Sequence, residues 1–242
     1  MFRVPVYTPA RRDVLRLGLF AAALPHQSFA APAPLKIATI GAGRMGSALG
    51  GLLVKAGHPV MFSSLHPEEL KDMVKELGPL ARAGTAAEAV AFGDVVALLV
   101  PYSAMPELAQ AHGKALAAKA LVLDVSNPIV PRDGEVGAKA REEGAGVFLS
   151  KLMPGAKIVR AFNAIGAGTL AAAANRTPER TGVPLAGDDQ EALKIASDLA
   201  REIGFDPVVI GSLAVGRNLI PGTPIGGEHT AAELRKIAAT LR

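Results

Sequence analysis

The sequence predicts an α/β protein: a doubly wound, mostly parallel sheet followed by a short C-terminal helical tail. Three observations predict it. Apolar, β-rich runs alternate with Ala-rich helical stretches, the pattern of strands joined by crossover helices. The runs are continuously apolar rather than alternating, so both faces of the sheet are covered. The first run ends directly in a glycine-rich turn that opens a helix, Gly41-Ala42-Gly43-Arg44-Met45-Gly46.

The elements follow in order. Residues 35–40 read as the first strand and 43–56 as a helix ended by Gly57. Residues 58–63 read as the second strand. Pro67-Glu68-Glu69 then opens a helix, with proline early and acids at the positive end. A short helix is expected over 86–91, and strands over 94–100, 121–125, 157–162 and 183–186. A helix over 189–203 and a seventh strand over 207–210 complete the sheet. The nucleotide-binding domain is expected over 35–210 and a tail over 211–242, with a Gly/Pro-rich loop at 221–227 and a final amphipathic helix.

The first thirty residues read as an address rather than a fold. Arg3, Arg11, Arg12 and Arg16 form a basic region, and an apolar run extends from Leu15 to Leu24. Ser28-Phe29-Ala30 offers a small-x-small cleavage site. That is the layout of a signal peptide, and the run is too short to span a membrane. Arg11-Arg12 followed by Asp13-Val14-Leu15-Arg16 resembles a bacterial twin-arginine (Tat) leader. The expected location is periplasmic or secreted by the Tat machinery, or cytoplasmic if the leader is only an extension of the start.

Composition removes several function classes. The 242-residue chain has no Cys, which excludes a thiolate nucleophile and any metal site built on Cys. The formal net charge is +4. Without residues 1–30, 22 basic and 21 acidic residues remain, with six aromatics and no basic stripe. Nucleic-acid binding by an electrostatic footprint is therefore not expected. No further long apolar segment follows, so no membrane association is expected after leader cleavage.

The glycine-rich turn carries the chemistry. G-x-G-x-x-G is a weak pattern alone, but it gains meaning between a strand and a helix. Gly41 permits the tight turn, Gly43 lets a pyrophosphate approach the backbone, and Gly46 lets the helix pack on the strand. Free N–H groups at the helix start then face the anion. The expected fold is Rossmann-like and binds a nicotinamide dinucleotide. NADP is expected ahead of NAD, because Ser63-Ser64-Leu65-His66 supplies no carboxylate at the end of the second strand. Ser63 and Ser64 would meet a 2′-phosphate, with Arg44 reaching over from the loop.

Other candidates lie on the carboxyl rim of the sheet, where ligands bind in this architecture. Val100, Pro101 and Tyr102 follow the third strand and would line the nicotinamide side. Tyr102 reads equally as a half-buried edge aromatic. Asn163 either holds a carboxamide or substrate carbonyl, or caps the next helix. Neither His pairs with metal-ligand spacing nor nucleophile motifs occur, so no catalytic acid, base or metal ligand is named. Hydride transfer between stacked rings requires orientation and dryness more than a proton donor.

At these residues the chain resembles the reductases that pass hydride between NADP and the deazaflavin coenzyme F-420. It is also similar to the related domains of pyrroline-5-carboxylate reductases and transmembrane metalloreductases. The resemblance is carried by Ile40 to Gly46, Leu99-Val100-Pro101, Leu123 to Pro128, Lys157 to Asn163, Leu185 to Asp189, and Gly211-Ser212-Leu213 with Arg217, Leu219 and Thr223-Pro224. It implies that Phe162, Asn163, Leu213, Arg217 and Leu219 flank a second substrate: a small-molecule hydride acceptor, F-420 or a flavin among the candidates. It also implies a homodimer in which the C-terminal segment helps close the site. Two departures stand out. The family's Ser-Arg pair is Ser64-Leu65 here, which weakens selectivity for NADP. The family works in the cytoplasm, whereas this chain has an export-type leader. The rival reading is an exported NAD(P)-binding module without turnover.

Overall fold

The computed structural model describes residues 34–241. The expected leader lies outside the described residues. The chain opens with β1 (Ile37–Ile40), α1 (Arg44–Lys55) and β2 (Val60–Ser63). A 3-10 turn at Pro67–Leu70 leads into α2 (Lys71–Leu77), then β3 (Ala81–Gly84) and α3 (Ala86–Phe92). Next come β4 (Val95–Leu98), α4 (Met105–Ala117) and β5 (Leu121–Asp124). Two consecutive helices, α5 (Val130–Glu143) and α6 (Ala145–Leu152), precede β6 (Ile158–Ala161) and α7 (Ala167–Ala173). The chain closes with β7 (Gly182–Gly187), α8 (Gln190–Glu202), β8 (Asp206–Gly211) and α9 (Ala231–Ala238).

All eight strands join one sheet in the order β3-β2-β1-β4-β5-β6-β7-β8. The six strands from β3 to β6 run parallel, β7 pairs antiparallel with β6, and β8 runs parallel to β7. The α/β, mostly parallel reading therefore holds. The direction of β7 is not written in its residues, because strand direction is set by where the connecting segment re-enters the sheet.

Every residue of β1, β4, β5 and β6 is buried, as expected for strands covered on both faces. One apolar layer packs Leu49, Leu53, Phe62, Leu193 and Phe205 on one face. A second packs Leu98, Met105, Leu116, Phe148 and Leu149 on the other. Burying each such side chain stabilises the fold by about 1.5–3 kcal/mol. A third, smaller cluster (Leu219, Ile225, Leu234 and neighbours) seats the tail on the β7–β8 edge.

Five elements (β3, α4, α5, α6 and α7) escape the sequence pattern, and β3 and α4 show why. β3 is Ala-Arg-Ala-Gly, without a β-branched or aromatic residue, and it lies at the sheet edge with Arg82 exposed. α4 contains Pro106 and Gly113 and is Ala-rich, so its apolar face reduces to Met105, Leu108 and Leu116. His112 lies inside this helix.

Candidate functional site

The turn after β1 explains its glycines individually. Gly41 has φ +105°, and a Cβ there would lie 2.8 Å from the Leu99 carbonyl oxygen. A Cβ on Gly46 would overlap the Gly41 carbonyl oxygen. Both residues are thus demanded by the fold itself. Gly43 is different: it has φ −67° and ψ −171°, and a Cβ would meet nothing within 4 Å. Neither backbone strain nor packing requires glycine at this position.

Gly43 is also the N-cap of α1 and supplies no side-chain hydrogen bond. No acid lies in the first turn of the helix. The N–H groups at the start of a twelve-residue helix therefore lack an intrahelical partner and face outward beside open space. A diphosphate fits this cradle: it offers acceptors to those groups and needs the room a side chain would fill.

A cleft of ≈ 630 Å³ opens directly over this turn. Gly41, Ala42 and Gly43 form one wall, and Ser63, Ser64 and Leu65 another. Val100 and the α4 residues Glu107, Leu108 and His112 close it opposite. Ser63 is buried, and its hydroxyl accepts from the Gly41 N–H at 3.3 Å, so β2 holds the turn in place. The Ser64 hydroxyl accepts from the His66 N–H at 3.0 Å. Leu65 is 95% exposed. Met45 is half-buried behind the turn and Pro101 is exposed; neither lines the cleft.

Arg44 does not reach over Ser63 and Ser64. It is exposed, its guanidinium lies near Gly168 of α7, and it does not line the cleft. This corrects the expectation that it pairs with a 2′-phosphate there.

Tyr102 also departs from expectation. It is fully buried beneath the cleft rather than lining it. Its hydroxyl donates to Asp124 Oδ2 at 2.8 Å and accepts from Arg160 Nη1 at 2.8 Å. Burial pushes the Tyr102 phenol well above its ordinary value, and the Asp124 charge adds to this, so the hydroxyl keeps its proton and donates. Arg160 and Asp124 form an ion pair, both fully buried. Burial raises the Asp124 carboxyl while Arg160 opposes the rise. Burial works to lower the Arg160 guanidinium, but Asp124 outweighs it and holds it above its usual value.

The residues that the resemblance assigns to a second substrate do not gather in the cleft. Phe162 is buried at φ 63° and meets Phe205 edge-on, with ring centroids 5.7 Å apart. Leu213 is buried and held by its N–H to Asp188 Oδ1 at 3.1 Å. Leu219 is buried, and its carbonyl accepts from Arg160 Nη2 at 2.9 Å. Arg217 is exposed and donates to the Glu142 carbonyl at 3.2 Å. Each is occupied by packing or by the anchoring of the tail.

Asn163 is the exception. Its Nδ2 donates to the Asp124 and Ser126 carbonyls at 3.1 and 2.9 Å, tying β6 to the end of β5. Asn163 Oδ1 and Asn127 Oδ1 are buried without a hydrogen-bond partner. A buried acceptor without a donor is costly, and a donor arriving with a ligand relieves it. Asn163 does not cap α7, whose N-cap is Gly166. The tail loop comes close here too, since the Gly227 N–H donates to the Ala164 carbonyl at 3.0 Å.

Glu69, Thr85, Glu107, Leu108 and His112 line the cleft and are not among the residues singled out from sequence. Ala104, Glu107, Leu108, Ala111 and His112 recur at three- and four-residue spacing, one face of a helix. That spacing was the available signal. Among the described residues no cluster of three potential metal ligands occurs, and no helix is long and apolar enough to cross a membrane.

Comparison with known proteins agrees with this geometry. Residues 36–128 match the family model of the NADP oxidoreductases, coenzyme F-420-dependent. Metalloreductase STEAP3 of Rattus norvegicus is 33% identical over 187 residues, which are 76% of this chain and 35% of that longer protein. The chain thus spans about a third of that relative's length. A hypothetical protein from Sinorhizobium meliloti has the same fold, with a TM-score of 0.67 and 26% identity over 82% of this chain and 96% of the other. A putative F-420-dependent NADP-reductase from Arthrobacter superposes with a TM-score of 0.62 and 21% identity, covering 76% of this chain and 87% of that one. The resemblance read from the sequence is thus borne out: over residues 36–128 the chain matches the coenzyme F-420-dependent NADP oxidoreductase family, within the α/β fold of NAD(P)-binding reductases.

Proposed function

We propose that the protein is a reductase that binds a nicotinamide dinucleotide with its diphosphate on the first turn of α1. The observation that carries this reading is Gly43: a glycine that neither φ nor packing explains, beside unpartnered N–H groups, at the mouth of a ≈ 630 Å³ cleft. When bound, the nicotinamide supplies hydride. The chain's own part is to bind and orient. The α1 amides hold the diphosphate, Ser63 fixes the turn, and Val100 with Leu108 keeps the far wall apolar. The unpartnered Asn163 Oδ1 near the end of β6 suits an N–H donor such as the nicotinamide carboxamide.

The hydride acceptor on this reading is a small molecule, with a deazaflavin such as F-420, a flavin, or a carbonyl or imine compound as the chemical classes. The family match over residues 36–128 supports the first of these. The test is two-part. Titration with reduced nucleotide is expected to give saturable binding that Gly43→Val abolishes. Oxidation of the bound nucleotide is then expected with one acceptor of a panel of F-420, FMN and cyclic imines. Binding without turnover on every acceptor supports the binding-module reading instead.

Export and assembly belong to the same proposal. The leader-like residues 1–30 support Tat export of the folded protein with nucleotide already loaded. Fractionation and N-terminal sequencing test this, and an intact Met1 in the cytoplasm contradicts it. A homodimer is the assembly the resemblance implies, and light scattering on the purified protein decides it.

A further inference from the structure

The cleft beside the end of β2 has an unusual charge pattern. Two carboxylates line the cleft, Glu69 from the turn before α2 and Glu107 from α4. Neither lysine nor arginine lines it. Leu65, two residues after β2, lines the cleft and is almost wholly exposed. His66 is not part of the lining and faces Glu68 at 3.5 Å. Arg44 is exposed near Gly168 of α7 and does not line the cleft.

In this architecture the end of β2 meets the adenosine ribose. The two nicotinamide dinucleotides differ there by one group. A 2′-phosphate brings about −1.5 to −2 charges, as phosphomonoesters do near neutral pH. It calls for charge-assisted donors, typically arginine or lysine. Here the cleft lining offers two carboxylates instead, both exposed, so the repulsion is strongest at low salt. A 2′-hydroxyl meets no such repulsion. It donates to a carboxylate or to the Ser64 hydroxyl, and the adenine gains the apolar surface of Leu65.

We propose that this cleft selects NAD(H) over NADP(H), with Glu69 and Glu107 disfavouring the phosphorylated nucleotide and Leu65 standing where a phosphate-pairing cation is absent. The inference rests on the dinucleotide reading above and sharpens it. It reverses the expectation of NADP, which rested on the absence of a carboxylate from Ser63-Ser64-Leu65-His66; Glu69 and Glu107 bring acids to the cleft from other elements.

The experiment is a pair of equilibrium titrations of the full chain with NADH and NADPH, at low and at physiological salt. NADH is expected to bind at least tenfold more tightly. Leu65→Arg is expected to tighten NADPH binding tenfold or more while changing NADH binding by less than threefold, with the gain shrinking as salt rises. The double variant Glu69→Gln, Glu107→Gln is expected to tighten NADPH binding several-fold on its own. Tighter binding of NADPH by the unaltered chain overturns the selection and leaves the dinucleotide reading standing. So does a nucleotide ratio that neither variant changes. If neither nucleotide binds, the dinucleotide reading falls, and the selection falls with it.

Discussion

Arg160 and Asp124 sit directly opposite each other on the adjacent parallel strands β6 and β5, both fully buried and paired as an ion pair. Two charges removed from water are tolerated only when each satisfies the other and further hydrogen bonds complete the set. Tyr102, the Ser126 N–H and the Leu219 carbonyl supply most of those bonds, leaving Arg160 Nε without a partner. Asp124→Asn leaves the guanidinium buried without its counter-charge. A loss of about 3–5 kcal/mol is expected, read from the denaturant midpoint. The double change Asp124→Leu, Arg160→Met removes both charges and should recover most of that loss; a double variant as unstable as the single would contradict this account.

Gly43 and Gly46 should separate binding from folding. Gly46→Ala drives a methyl into the Gly41 carbonyl and lowers the melting temperature. Gly43→Val enters open space, so the melting temperature stays near that of the parent while nucleotide affinity falls by at least tenfold. Thermal unfolding with and without NADH, with ligand stabilisation following ln(1 + [L]/Kd), gives both readings in one assay.

Asp133 predicts a pH dependence. Its carboxylate is fully buried, accepts the Ile129 N–H at 2.7 Å and meets the Arg132 guanidinium at 2.8 Å. Burial works to raise it, but Arg132 and the Ile129 and Ser103 N–H groups outweigh this and hold it below the usual carboxylate range. A group lowered in the fold contributes stability above its unfolded value and loses it as pH falls through the folded one. Asp133→Asn should therefore cost about 1–3 kcal/mol at pH 7. The gap between variant and parent should close as pH drops below about 4. A gap that stays constant across that range would show that the carboxylate's charge contributes nothing.

Asn163 braces the rim. Asn163→Ala strips a donor from the Asp124 and Ser126 carbonyls, and a loss of about 1–3 kcal/mol is expected by urea unfolding. Asn163→Asp should cost more, because it sets an anionic oxygen against two carbonyl oxygens. Equal stability of the two variants would argue against the amide orientation described above.

The central sheet and the phosphate turn were legible because their signals are local. Continuous apolar runs mark β1, β4, β5 and β6, and Gly41 to Gly46 joins a strand to a helix within six residues. The far wall of the cleft was not legible, because Glu107 and His112 gain meaning only once α4 is recognised, and its apolar signal is thin. Tyr102 and Arg160 illustrate the opposite difficulty. A tyrosine at a strand end looks like a ligand contact until a partner 58 residues away claims its hydroxyl from inside the core. Arg44 lies in the motif, but only the fold shows its side chain near α7 and outside the cleft lining.

The single guanidinium of Arg160 is gripped on one side by the floor of the cleft and on the other by the main-chain oxygen of Leu219. Floor and C-terminal arm therefore share one latch and should come loose together rather than in sequence. A change at residue 160 therefore frees both at once, while the Leu219 side chain still holds the arm through its apolar cluster.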